Sequence, residues 1–240
     1  MKAEYVDSMG SDLSVVNAAR VSFDKMSNWV YPQPCGGCGE QEGRRCLGCL
    51  HDFGKPSLKE VDARLIHYLA KHAHWTPFAH TAITLRMSAP VPIRTQCFKH
   101  KFGFVENEQS RRYIITRPDL FVPARWRKKP EGNKKQGSGE AFGPWEQTRF
   151  TREYEQKAGD AIDTYIRWTE IDGMCPEQAR FILPQGVEVQ WVWTGSLAAY
   201  ARFFKLRTDP HAQQEIQDLA LQVGEIVKPL FPVSWEALTA

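Results

Sequence analysis

The segment from Gln96 to Tyr113, QCFKHKFGFVENEQSRRY, holds four Lys or Arg cations, two carboxylates, an Asn amide and a Ser hydroxyl within eighteen residues. Phe98, Phe102, Phe104 and Tyr113 are interleaved with those charges. Cations and ring faces in one short window suit a ligand with phosphate oxygens and flat heterocycles, because a guanidinium makes paired hydrogen bonds to phosphate. A charged surface helix and turn is the plainer reading of the same residues. Arg111 and Arg112 are the natural phosphate claws. Arg180, in ARFILP, is either a further phosphate ligand or an ordinary surface cation. Ser110 is the one hydroxyl of the window, and no His-Asp pair is placed by the sequence to activate it, so it is assigned to substrate binding.

A second constellation is Cys35-x2-Cys38-x7-Cys46-x2-Cys49, with Gly36, Gly37, Gly39 and Gly48 for the tight turns. Two close-spaced thiolate pairs suit a tetrahedral zinc ion with all four positions filled, which is a structural rather than a catalytic arrangement. Loop cysteines without metal and an iron-sulfur cluster are the alternatives. Pro34-Cys35-x2-Cys38 echoes half of the zinc deaminase signature, but the upstream His-x-Glu is missing because the first histidine of the sequence is His51. Cys97 and Cys175 stand alone, without the cationic or His-paired context that lowers a thiol pKa, so neither is a candidate nucleophile.

At 240 residues the chain fits one domain with a sizeable core. A hydrophobic fraction of 42% and a charged fraction of 25% are ordinary for a globular enzyme, and 12% aromatics agrees with flat ligands. A formal net charge of +3 is too small for a dedicated nucleic-acid binder. No apolar run approaches the roughly 20 residues that span a bilayer. The polar start MKAEYVDSMGSDL has no signal-peptide core, so a cytosolic protein without membrane partners is expected.

The elements that must position these groups are legible from pattern. Residues 1–23 read as a short strand and a helix; residues 24–56 have neither helical nor strand period and read as a Cys-rich insertion. Ser57 and Glu60 form an apparent capping box for a helix with Val61, Leu65, Ile66 and Leu69 on one face, ended by Pro77 at the latest. Thr81 to Met87 alternates as a half-buried strand. Pro90 and Pro92 stop it and allow a helix near Ile93 that carries Gln96 and Lys99-His100-Lys101, with Gln96 and His100 sharing a face. Ile114-Ile115 suggests a second strand. The basic, Gly-rich stretch 124–143 reads as a loop, either a lid for phosphate or simply solvated. Helices are expected over Thr148–Ile171 and Leu197–Leu206, a strand over Val187–Thr194, and a last helix opened by Asp209 and Pro210. No nucleotide-binding Gly fingerprint is present, which points to an α+β fold, one domain with a mixed sheet and packed helices.

Lys99-His100-Lys101, then eight residues, Ser110 and Arg112-Tyr113 resembles the signature of flavin-dependent thymidylate synthases. That family has arginine at both flanks of the histidine and one residue fewer before the serine; the departure is similar to phage-borne members. Four more blocks resemble the family in order: Asp12 to Phe23, His72-x-His74-x-Thr76-Pro77-Phe78-x-His80, Ala179 to Pro184, and Leu206-Arg207-x-Asp209-x-His211-Ala212-Gln213.

The resemblance implies reductive methylation of dUMP to dTMP, with FAD as mediator, methylenetetrahydrofolate as carbon donor and NADPH as hydride source, in a homotetramer with shared active sites. It assigns Arg207 to stabilising negative charge on the pyrimidine, a strong effect for a fixed cation in a dry site. Gln96, Lys99, Glu108, Gln109, Ser110, Arg111, Arg112 and Arg180 become substrate ligands. Ser22, His74, Thr76, Lys99, His100, Lys101, Glu108 and Ser196 become flavin ligands. The family's Asn-x-Arg is replaced here by Ser196-Leu197-Ala198, and Arg202, one turn beyond Ala198, is the candidate substitute. Two other readings stand beside this one: a zinc-ribbon nucleic-acid-binding protein on an inactive synthase scaffold, and a pyrimidine nucleotide hydroxymethylase.

Overall fold

A computed structural model describes residues 1–31, 56–132 and 137–240. Cys35, Cys38, Cys46 and Cys49 lie outside the described residues. Four strands are present among those described: β1 (Lys2–Met9), β2 (Ala82–Pro90), β3 (Phe104–Glu108) and β4 (Glu188–Gly195), in the order β1-β2-β4-β3. Among the described residues every strand pairing is antiparallel, so the sheet they form is not the mixed one expected. The α+β character holds.

Period-two alternation decides which side of the sheet is buried. Ile83, Leu85, Met87 and Ala89 of β2 and Trp191 and Trp193 of β4 point to the covered face. The same alternation turns Phe104, Glu106 and Glu108 of β3 to one side, and this carries a carboxylate to the edge of the core. Phe104 stacks on Trp193 at 4.0 Å between ring centroids, an arrangement worth about 0.5–1.5 kcal/mol beyond area burial.

The helices are α1 (Asp12–Arg20), α2 (Glu60–Lys71), α3 (Val91–Cys97), α4 (Pro144–Glu170), α5 (Pro176–Ala179), α6 (Leu197–Arg207), α7 (Gln214–Val227) and α8 (Pro232–Thr239). Tyr200 and Phe203 of α6 and Ile216, Leu219 and Val223 of α7 join the sheet residues in one core. The buried Tyr200 hydroxyl donates to the Trp193 carbonyl at 2.7 Å, so its polar end is satisfied. The Asp12 carboxylate accepts from the backbone N–H of Val233 and Ser234 at 3.0 and 2.9 Å, which ties the first helix to the start of the last.

Local chemistry explains where the sequence pattern misled. Ser57 is not a helix cap: its backbone pairs with Val30 in both directions, and α2 starts later behind Lys59. Val61 is exposed, and Asp62 occupies the buried position at the start of that helix. Ile114-Ile115 is not a strand but follows the turn at 111–113, with Ile114 N–H bonded back to Ser110 and the Ile114 carbonyl taken by the Tyr165 hydroxyl. Asp209 does not open α7; its carboxylate accepts from the His211 backbone N–H and ring Nδ1, which closes a turn ahead of Gln214. None of the described helices is long and apolar enough to cross a membrane.

Candidate active site

α3 is short, with Pro90 as its N-cap and Pro92 in its first turn. After Cys97 the chain tightens, Lys99 N–H bonding to the Gln96 carbonyl and His100 N–H to that of Cys97. Lys99, His100 and Lys101 therefore sit in a turn and not on the expected helix. Gly103, with φ of +75°, redirects the chain into β3. A Cβ there would stand 3.0 Å from Ala199 Cβ, so only glycine lets this turn approach α6.

That approach brings Arg207, at the end of α6, onto the turn. Its Nε donates to His100 Nε2 at 2.8 Å, its Nη2 to the Gln96 carbonyl at 3.2 Å and its Nη1 to Gln96 Oε1 at 3.5 Å. Gln96 and His100 thus do meet on one partner, although a turn rather than a continuous helix aligns them. Burial, with the nearby charges of Arg207 and Arg202, pushes the His100 imidazole down to about 4. It is neutral at physiological pH and accepts at Nε2, which leaves the ring proton on Nδ1. All three acceptors around Arg207 are uncharged. The guanidinium is fixed in place without being neutralised, so its charge remains available to a ligand.

Cys97 is buried beside this centre, and burial raises its thiol to about 12. It is a thiol at neutral pH and no nucleophile.

A second feature is a cleft of about 360 Å³ lined by Arg94, Glu108, Gln109, Ser110, Arg111 and Arg180, with Leu183 to Gln185 along one wall. Arg94 Nε stands 3.2 Å from Glu108 Oε1. Burial raises the Glu108 carboxyl and Arg94 pulls it back, with a net upward direction. Gln109 is held by its backbone N–H on the Gln190 carbonyl. Arg180 Nε donates to the Glu177 carbonyl at 3.2 Å, and Arg111 reaches the Thr116 carbonyl. Arg112 is turned away from the cleft, paired with Glu177 at 3.3 Å and laid over Tyr113.

The remaining candidates lie around the 3-10 turn Thr76–Ala79. Trp75 packs edge-on against Phe102 at 5.0 Å, which joins this turn to the one bearing Lys99 to Lys101. Thr81 Oγ1 donates to the Phe78 carbonyl and accepts from Leu197 N–H, so the same turn is fixed to the start of α6. His74, Thr76, Lys99, Lys101 and Arg202 are exposed, as is Ser22 in the 3-10 turn Val21–Phe23 that follows α1. Lys101 is engaged by Glu106 at 2.7 Å. Ser196 caps α6, its hydroxyl accepting from Ala199 N–H at 3.3 Å, which occupies the oxygen expected to face a flavin.

Sequence reading missed Arg94 in the cleft, and it missed Arg127 and Glu215, an ion pair that Gln213 of the last motif block joins to Gln96. Arg94 had a signal: it precedes Phe98 by four residues, and its guanidinium lies 5.2 Å from that ring centroid. Arg127 and Glu215 are far apart in the chain and carried none.

The family described as thymidylate synthase complementing protein matches residues 4–233. The chain belongs to this family. A flavin-dependent thymidylate synthase of Thermus thermophilus is 32% identical over 97% of this chain and 73% of its own length. That of Thermosipho africanus is 31% identical over 97% of this chain and 88% of its own. Among solved structures, the UMP/dUMP methylase PolB from Streptomyces cacaoi bound with 5-Br UMP superposes with a TM-score of 0.78 at 26% identity, covering 99% of this chain and 93% of that one. The same methylase bound with 5-Br dUMP gives 0.75 at 27% identity, covering 99% and 94%. Family membership and the five ordered motif blocks therefore agree along nearly the whole chain.

Proposed function

We propose that the chain catalyses the reductive methylation of dUMP to dTMP as a flavin-dependent thymidylate synthase. The observation that carries this reading is the near full-length similarity to enzymes of that name; it is supported by the Arg207 guanidinium, held by neutral acceptors and so left with its charge for an anionic ligand.

The exposed cations Lys99 and Arg202 and the ring faces of Trp75 and Phe102 suit the phosphates and ring system of FAD. His74, Thr76 and Ser22 complete the set. When bound, FAD reduced by NADPH supplies the reducing equivalents and mediates transfer of the one-carbon unit of methylenetetrahydrofolate. Arg207 stabilises negative charge that builds on the uracil ring as C5 becomes nucleophilic. Arg111, Arg180 and Ser110 hold the monophosphate in the cleft, and Glu108, Gln109 and Gln96 orient the base. Arg112, engaged by Glu177, would have to leave that pair to bind the nucleotide. The new bond is to C5, whose hydrogen leaves as a proton.

Chromatography with mass detection of the product from dUMP, FAD, NADPH and methylenetetrahydrofolate tests the proposal. dTMP is expected, a hydroxymethylated nucleotide would support the hydroxymethylase reading, and no product with FAD bound would overturn both.

Two further parts of this reading concern assembly and metal. Phe23, Tyr31 and Phe181 are large apolar residues more than two-thirds exposed, which supports burial against other copies in a homotetramer with shared sites. Sedimentation of a monomer would sink it. Cys35, Cys38, Cys46 and Cys49 hold one structural zinc, on the strength of their spacing alone.

A further inference from the structure

Arg127 and Glu215 belong to no motif block, yet they lie at one end of a continuous chain of hydrogen bonds that ends on Arg207. Arg127 Nη2 donates to both Glu215 oxygens at 2.8 Å. Glu215 Oε2 accepts from Gln213 Nε2 at 2.9 Å, and Gln213 Oε1 accepts from Gln96 Nε2 at 2.7 Å. Gln96 in turn offers Oε1 and its backbone carbonyl to Arg207.

The direction of this chain is fixed by its ends. An ionised carboxylate can only accept, so Gln213 must turn its NH2 toward Glu215 and its oxygen toward Gln96. Gln96 must then present NH2 to Gln213 and its oxygen to Arg207, which can only donate. Reversing either amide would set donor against donor. Burial pushes the Glu215 carboxyl up, but the hydrogen bonds from Arg127, its own backbone and Gln213 together hold it below the usual carboxylate range, so it stays ionised. Arg127 is itself held: its backbone bridges to Ala141, while the neighbouring Trp126 donates through its indole to Thr151 of α4 at 2.9 Å and through its backbone N–H to Gln147 at 2.7 Å.

We propose that Arg127 and Glu215 are positioning residues for Arg207, acting through Gln213 and Gln96. The pair sets the polarity of both amides, and thereby gives Arg207 an oxygen rather than an NH2 to lean on. The consequence for substrate rests on the reading above that Arg207 faces the pyrimidine of dUMP. The geometric part does not.

The test uses the full chain with FAD added and dUMP as the probe. Gln213→Leu cuts the chain of bonds at an exposed residue; Glu215 loses one hydrogen bond but keeps both of those from Arg127. Glu215→Ala removes the anchor, and Glu215→Gln keeps an acceptor for Gln213 while leaving Arg127 uncompensated. Three quantities are read: the dissociation constant of dUMP, thermal stability, and the His100 titration by nitrogen NMR. His100 is faced by Arg207, Arg202 and the Phe203 ring, so withdrawal of Arg207 raises its pKa. Gln213→Leu and Glu215→Ala should weaken dUMP binding about tenfold, the scale of one hydrogen bond to a charged group, and move the His100 titration upward from about 4. Glu215→Gln should lose stability much as Glu215→Ala does, yet hold dUMP affinity within about threefold because its amide oxygen still accepts. Affinities that merely follow stability across the three variants would overturn the proposal, as would a His100 titration unchanged in Gln213→Leu. If the parent protein binds no dUMP, the synthase reading fails, and the His100 titration still decides whether the chain positions Arg207.

Discussion

Arg207 Nε lies 2.8 Å from His100 Nε2, so the guanidinium at the centre of the site is fixed by a neutral imidazole and not by a carboxylate. A carboxylate there would hold the arginine more tightly and also cancel its charge. The neutral partner keeps geometry and charge together, which is what stabilising an anionic pyrimidine requires.

Replacing Arg207 with alanine should reduce turnover about 10²- to 10³-fold, the usual cost of removing one preorganised charge. FAD binding should change much less, because the proposal gives Arg207 to the nucleotide and not to the cofactor. Steady-state rates at saturating dUMP, beside a flavin titration, check this. Turnover near the parent value would remove Arg207 from the catalytic residues.

Stability should fall as pH drops from about 6.5 to about 4, and His100 should account for part of the fall. The sign follows from linkage. In that window the unfolded chain binds a proton at this imidazole and the folded chain does not, so acid favours unfolding. Denaturant midpoints measured across the window for the parent and for His100→Gln should diverge above and converge below it in relative terms, with the variant showing the flatter dependence. Equal slopes would show that burial of His100 is not linked to folding.

Asp62 is fully buried and accepts from Arg20 Nε at 3.0 Å and from the Ser27 hydroxyl. Asp62→Ala leaves the Arg20 cation without its partner, which should cost about 3–5 kcal/mol. Equilibrium denaturation gives the number directly. A loss below about 1 kcal/mol would mean that the pair behaves as a surface salt bridge.

Protein made in zinc-replete medium should contain one zinc per chain on Cys35, Cys38, Cys46 and Cys49, and removal of the metal should leave the flavin chemistry measurable, since a four-thiolate site has no open position for catalysis. Elemental analysis beside thiol titration decides. Four freely titrating thiols with no metal would leave the segment as a Gly-rich loop.

Much of this molecule is legible in the sequence where a local rule governs the outcome. Alternation in β2, the Val and Trp content of β4 and the amphipathic period of α4 are set by which side chains must leave water, and all three are readable. The charged window marked Gln96, the motif blocks marked His100 and Arg207, and the structure joins those three. What was not readable depends on partners distant in the chain. Ser57 has the chemistry of a cap, but pairing with Val30 takes its backbone first. The strand Phe104–Glu108 is hidden by its charges, and only its pairing with β4 shows that it is a strand, whose alternation then puts Glu106 and Glu108 on the side of Phe104. Arg127 and Glu215 meet across a wide separation, with no spacing to announce them.

The central claim, that the C5 position of dUMP is methylated at a site organised around Arg207, is tested most directly by tritium release from C5-labelled dUMP in the presence of FAD, NADPH and methylenetetrahydrofolate. Methylation replaces the C5 hydrogen, so label should appear in water in step with dTMP, and Arg207→Ala should suppress both together. Label retained on dUMP by protein with FAD demonstrably bound would contradict the account.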